Sequence, residues 1–285
     1  MSNDEEGIAT FLDRADEAGS LLAQYGDWAD LEGDGGPFEF VTVAGRARGL
    51  EPVVAVSPFD QGTGELFRPL TDDTIAGYSE SAVAFVARTR PRYFGIGIES
   101  NLLASKNPDT FEEFVTLFAE VAPLVKEASP DTQVFTSFEL EWMAGYRAGA
   151  FGGRNDPATA QWDLLERFPD ADILAFSSYP SLAFETPAEI PDDFYVSLRD
   201  HTDRPVAIAE SGWAAESVVP GWSSSEAAQA EFAERLIEEM DAVDAVFGIW
   251  TLVYPAGGEV FDTMSLRLAD DTPRAVWDVW SAGSD

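Results

Sequence analysis

Six short apolar runs mark off the chain from residue 52 onward. They are PVVAVS (52–57), YFGIGIE (93–99), QVFTSFE (133–139), DILAFSS (172–178), PVAIAE (205–210) and VFGIWTLV (246–253). Each is near-continuously apolar, the pattern of a strand buried on both faces. Longer amphipathic stretches lie between and around them, near 38–49, 73–89, 108–128, 157–168, 191–200 and 224–241. Their starts are chemically marked: Asn107-Pro108-Asp109 opens one, and the Ser223–Ser225 cluster with Glu226 opens another. Buried strands each followed by a helix predict an α/β fold with a parallel sheet. A doubly wound open sheet and a (β/α)8 TIM barrel both meet that description. No Gly-x-Gly-x-x-Gly follows an early strand, which removes the support for dinucleotide binding. The regular spacing, the 285-residue length and the polar or aromatic residues at strand C-termini favour the barrel, whose active sites sit on that rim.

The N-terminal part fits less well. IATFLDRADEAGSLLAQYGDW reads as a helix from Ile8 to about Gln24, followed by a short strand around Tyr25–Ala29. Counting back from the end, two strands should precede PVVAVS, and one is visible. MSNDEEG is too short and too acidic to be a buried strand. The barrel is therefore expected to lack its first strand or to form it incompletely. No repeat or linker interrupts the chain, so residues 1–285 read as a single domain.

Charge and composition exclude several function classes. Fifty-two Asp and Glu face 17 Lys and Arg, a formal net charge of −35, and only Lys106 and Lys126 are lysines. Such a surface repels phosphate backbones and anionic lipids, so neither nucleic acid nor membrane is an expected partner. The acids are spread along the chain and accompanied by 20 Phe and 8 Trp, unlike a disordered acidic tail. The composition resembles the proteins of salt-loving archaea, in which molar salt screens self-repulsion. There are no cysteines and one histidine, His201, so thiolate sites and multi-histidine metal centres are excluded and no metal or cofactor is expected. A Ser-His-Asp triad would need His201, which precedes PVAIAE and so belongs at the opposite end of the strands from the catalytic rim. No apolar run reaches membrane-spanning length, and the acidic start is not a signal peptide. The chain as given is thus expected in the cytoplasm, or secreted if the true N-terminus lies upstream.

Carboxylates and aromatics remain at the rim. Glu99, Glu139 and Glu210 close three of the runs, Ser178-Tyr179-Pro180 closes a fourth, and Trp250 lies in the last. Two glutamates on barrel strand ends can act as acid/base and nucleophile in glycoside cleavage. Rings beside them suit sugars, whose C–H faces stack on aromatics.

AESGW (209–213) resembles the ESGW signature of plant and fungal β-1,3-glucanases, and the strand carrying it resembles the seventh strand of clan-A retaining glycoside hydrolases. YFGIGIESN and QVFTSFELEWM look most like barrels related to arabinogalactan endo-β-1,4-galactanases. The resemblance spans roughly residues 50–280. It implies a carbohydrate substrate, a nucleophile at Glu210 and, three strands earlier, an acid/base at Glu99. It further implies that Tyr179 hydrogen-bonds the nucleophile and that Trp250 floors the sugar site. The clan carries Asn immediately before its acid/base, where this chain has Ile98, and Asn101 is the candidate substitute for that contact. Glu141 and Trp213 complete the candidate substrate contacts. For Trp142, Trp213 and Trp250 a core position fits as well as a cleft. The expected activity is retaining hydrolysis of a β-linked glycan. The rival is a carbohydrate-binding barrel that has lost turnover, for which Ile98 is the main evidence.

Overall fold

A computed structural model describes residues 5–31, 35–258 and 260–283. In chain order it begins α1 (Glu5–Ala18), β1 (Leu21–Asp27), α2 (Pro37–Ala47), β2 (Glu51–Ser57) and α3 (Asp72–Thr89). It continues β3 (Tyr93–Ile96), α4 (Ser100–Lys106), α5 (Pro108–Ala128), β4 (Gln133–Glu139) and α6 (Leu140–Met143). The last elements are β5 (Ile173–Ser178), α7 (Leu198–His201), β6 (Val206–Ser211), α8 (Glu226–Ala242) and α9 (Val276–Gly283). The strands form one sheet in the order β1-β2-β3-β4-β5-β6. This is the α/β arrangement expected, with six strands where a closed (β/α)8 barrel has eight. Among the described residues no strand precedes β1.

The chain divides into two compact units. One comprises Leu21–Glu139 and Trp162–Phe176. Here β1 pairs parallel with β2, β2 with β3 and β3 with β4, in a register that sets Leu21 against Glu51 and Tyr93 against both Val53 and Gln133. Its helices start where the chemistry directs. Thr71 caps α3 by accepting from the Thr74 amide at 3.3 Å, with Asp72 and Asp73 in the positive first turn. Asn107 caps α5, and Pro108 occupies the first turn, where no N–H is needed. The buried face of α5 carries Phe111, Phe114, Leu117, Phe118, Val121 and Val125, a helical repeat that closes over the sheet. Phe168 plugs this core, meeting the rings of Phe111, Phe114, Phe118 and Phe138 at 5.1–6.0 Å.

The other unit comprises Met1–Ser20, Leu140–Gln161 and Ser177–Asp285. It holds the end of β5, all of β6, and α8, which Ser225 caps through the Ala228 amide at 3.2 Å. Gln229, Phe232, Ala233 and Leu236 form the buried face of α8. An ionic cluster ties α1 to the C-terminal region: the Asp271 carboxylate accepts from Arg14 and from Arg267, at 2.9 and 2.7 Å.

Several sequence expectations need correction. The N-terminal helix stops at Ala18, because Gly19-Ser20 breaks it, and the strand begins at Leu21. The stretch 157–168 forms 3-10 turns at Pro157–Thr159 and Trp162–Arg167. Pro169 disfavours helical backbone at Phe168, and the core takes that ring instead. In 191–200 the chain runs through turns with Phe194 and Tyr195 buried, and a single helical turn, α7, forms. VFGIWTLV makes a single parallel bridge, Ile208 to Gly248, and no extended strand. Among the described residues no helix is long and apolar enough to cross a membrane.

Candidate active site

Glu99 belongs to the first of these units. β3 stops at Ile96, and the chain turns through Gly97, whose φ of 84° suits glycine. A β-carbon there would lie 2.2 Å from the Phe114 ring. Glu99 follows at φ 52°, left-handed for a residue with a side chain, at the N-cap of α4. Such a conformation costs on the order of 1–3 kcal/mol and persists only where its surroundings enforce it. β4 supplies that enforcement. The Glu99 amide donates to Ser137 Oγ at 3.0 Å, and Ser100 Oγ meets Thr136 Oγ1 at 2.9 Å. The Asn101 side chain donates from Nδ2 to the Glu139 carbonyl at 2.9 Å and accepts the Glu139 amide on Oδ1 at 2.8 Å.

Asn101 is therefore a clip between α4 and β4. It is fully buried, with both ends of its amide committed to backbone, which corrects its reading as a sugar ligand. Ile98 is also buried.

Glu210 belongs to the other unit. In β6, Val206–Ala209 are fully buried, and Glu210 is the one residue of the strand that reaches partial exposure. Tyr179, immediately after β5, donates its hydroxyl proton to Glu210 Oε2 at 2.7 Å. Thr251 Oγ1 is also 2.7 Å from the Tyr179 oxygen. A phenol has one proton, and an ionised carboxylate only accepts, so Thr251 is the donor to Tyr179. The Thr251 amide in turn donates to the Ser211 carbonyl at 2.9 Å, holding this segment along the tip of β6. Burial pushes the Glu210 carboxyl above the usual carboxylate range, and the Tyr179 hydrogen bond works against that rise.

A buried carboxylate holds the backbone at Tyr179. Glu141 is fully buried; its oxygens accept Ser178 Oγ at 2.7 Å and the Tyr179 amide at 3.2 Å. Tyr195 meets the same Ser178 oxygen at 2.7 Å. Since the serine proton goes to Glu141, Tyr195 donates to Ser178. Burial, with the Glu141 charge adding to it, raises the Tyr195 phenol well above its ordinary value. Glu141 thus fixes the backbone that carries Tyr179. This corrects its reading as a substrate contact.

The two candidate tryptophans are core residues. Trp250 packs against Phe232 and Trp280 at 6.1 and 5.4 Å and donates its indole N–H to the Met264 carbonyl. Extended chain alternates its side chains. With Thr251 at Tyr179, Trp250 faces the helices, and its reading as the sugar floor is corrected. Trp213 is fully buried against Phe232, its N–H on Ser224 Oγ at 3.0 Å. Trp142, half-buried, has the Arg147 guanidinium 4.5 Å over its ring. Thr251 escaped the sequence reading, although its place one residue after Trp250 in an extended run was the available signal. Tyr195 offered none.

Repeated strand–helix pairs around one sheet define the class: an α/β fold of the TIM-barrel type. Solved structures make the likeness particular. The GH53 catalytic domain of Ignisphaera aggregans is similar over 96% of this chain and 88% of its own, with TM-score 0.69 and 15% identity. A fungal β-1,4-galactanase is similar over 94% and 89%, with TM-score 0.67 and 14% identity. A family 39 glycoside hydrolase from Bacteroides cellulosilyticus WH2 is matched over the whole of this chain, TM-score 0.66 and 15% identity, yet this chain spans 62% of its length. No protein-family model and no curated protein sequence matches the chain.

Proposed function

We propose that the protein is a retaining hydrolase of β-linked glycans, with Glu210 as nucleophile and Glu99 as acid/base. The observation that carries this is the tip of β6. A strand whose other side chains are buried delivers one partly exposed carboxylate, and a tyrosine hydroxyl is aimed at it from 2.7 Å. A nucleophilic carboxylate must be ionised and held still, and the Tyr179 donor serves both needs. The left-handed backbone at Glu99 supports its role, since strain of that kind gathers at functional sites. The β-1,4-galactanase neighbour supports a β-linked glycan as substrate.

In the first step a Glu210 oxygen bonds to the anomeric carbon while the glycosidic C–O bond breaks, and Glu99 gives its proton to the departing oxygen. In the second step Glu99 takes a proton from water, and the water oxygen displaces Glu210, restoring both groups and the original anomeric configuration.

Glu210→Gln is expected to abolish turnover, because an amide forms no glycosyl-enzyme. Glu99→Gln is expected to slow substrates with poor leaving groups about 10²–10⁴-fold and activated aryl glycosides far less. NMR of the first-formed product reads the anomeric outcome. An inverted product, or full activity in Glu210→Gln, would overturn the assignment.

One observation favours a second reading, a carbohydrate-binding protein without turnover: Ile98 is buried where the clan carries a sugar-binding Asn. That reading predicts a sugar-dependent rise in melting temperature with no hydrolysis of any β-glycoside.

A further inference from the structure

On a chain with a formal charge of −35, one stretch of surface is basic. Residues 37–51 and 88–93 hold five of the 17 Lys and Arg: Arg46, Arg48, Arg88, Arg90 and Arg92. The same residues include two acids, Glu39 and Glu51. All five arginines are exposed, at the C-terminal ends of α2 and α3 and just before β3. Arg46 ties the two segments together by donating to the Thr89 and Arg90 carbonyls. Arg88 faces Glu39 of α2 across 3.8 Å. Arg46, Arg90 and Arg92 have no carboxylate partner among the described residues. Helix dipoles explain part of this, since Arg46 and Arg88 stand in last turns, where a cation offsets the negative end. Yet α8, nearly as long as α3, ends with no base in its last turn.

Beside the arginines lies an apolar stripe. α2 buries Phe38, Val41, Thr42 and Gly45 and turns Phe40, Val43 and Ala47 outward, the i, i+3, i+7 spacing of one helix face. Phe40 is 37% exposed and Val43 62%. Arg46 follows Val43 by three residues and shares its face.

We propose that the outer face of α2, with the five arginines around its end, is a docking surface for an acidic amphipathic segment of a partner protein. The guanidinium groups pair with the partner's Asp and Glu, because their planar donors match a carboxylate in bidentate fashion. Phe40, Val43 and Ala47 receive its apolar side chains, as one amphipathic helix receives another. Nucleic acid fits this surface less well. Its phosphates have no use for the apolar stripe, and the acidic bulk of the molecule repels so dense a polyanion.

The test uses a fluorescein-labelled helical peptide of Glu, Ala and Leu, its leucines at i, i+3 and i+7. Its control has serine in place of leucine. Anisotropy is read in about 1 M KCl, where screening to about 3 Å leaves direct contacts as the main attraction. The wild type is expected to bind the leucine peptide and not the serine control. Arg90→Glu, Arg92→Glu and Val43→Asp are each expected to weaken binding about three- to tenfold. Melting temperatures in the same salt check that the variants keep their fold, and Val43→Asp carries the test alone if charge reversal destabilises the protein. Failure of the wild type to bind, or equal binding by folded variants, overturns the proposal. So does equal binding of the serine control, or displacement of the peptide by duplex DNA. A dimer in sedimentation that Val43→Asp dissolves would give the surface to a second copy of this chain and overturn the assignment to a partner.

Discussion

Glu210 sits where two opposing effects meet. Burial favours its protonated form, and the Tyr179 proton favours the carboxylate. Thr251 decides how firmly that proton is aimed, because its own donation leaves Tyr179 no alternative but Glu210. Thr251→Val keeps the shape and removes the donor, so the phenol turns more freely and the carboxylate loses part of its stabilisation. The Glu210 pKa then rises. A nucleophile must be ionised, so the acid limb of kcat/KM is expected to move to higher pH, with the alkaline limb unchanged. Thr251→Ser should restore the wild-type profile. An unmoved acid limb in Thr251→Val would show that the hydroxyl does not act on Glu210. The glutamate was legible in AIAESGW because a carboxylate closing a buried strand is a local pattern. Thr251 and Phe261 come close to Tyr179 from segments some 70–80 residues away, and no local pattern carries that information.

At the scale of elements, α4 and β4 are joined side by side through Asn101. Removing its amide leaves a buried carbonyl and a buried N–H of Glu139 without their partner. Asn101→Ala is expected to cost about 2–4 kcal/mol of unfolding free energy, read from the denaturant midpoint. Asn101→Asp keeps the acceptor alone and is expected to fall no closer to wild type than halfway, since its carboxylate faces the Glu139 carbonyl. A midpoint within error of wild type for both would show that the clip carries no stability. The elements themselves were readable to different depths. α3, α5 and α8 match their predicted spans within a residue or two, because capping side chains and an apolar face are written in consecutive residues. The stretches 157–168 and 191–200 look as amphipathic but fold otherwise. Phe168, Phe194 and Tyr195 are buried there without a regular helix.

For the whole molecule, a formal charge of −35 sets the condition for folding. The Debye length grows from about 3 Å in 1 M salt to about 30 Å at 0.01 M, so like charges far apart on the surface begin to repel. Few lysines and arginines offset them, and the best-placed ones are already paired, as Arg167 is with Glu112 and Lys126 with Asp172. We expect the melting temperature to fall by several degrees or more as KCl is lowered from about 1 M to about 0.01 M. A flat response would show that the acids are spaced widely enough to be harmless. The sequence by itself determined the α/β class, the parallel strands, most helix positions, the acidic surface and a glutamate at the tip of β6. These depend on the character of neighbouring residues, on periodicity and on simple sums of charge. The tertiary structure alone decided that Asn101 and Glu141 brace the backbone, that Trp213 and Trp250 belong to the core, and that Thr251 and Phe261 stand beside Tyr179. Those assignments depend on which side of an extended segment a residue faces and on what distant segment it meets, and both are settled only when the core packs.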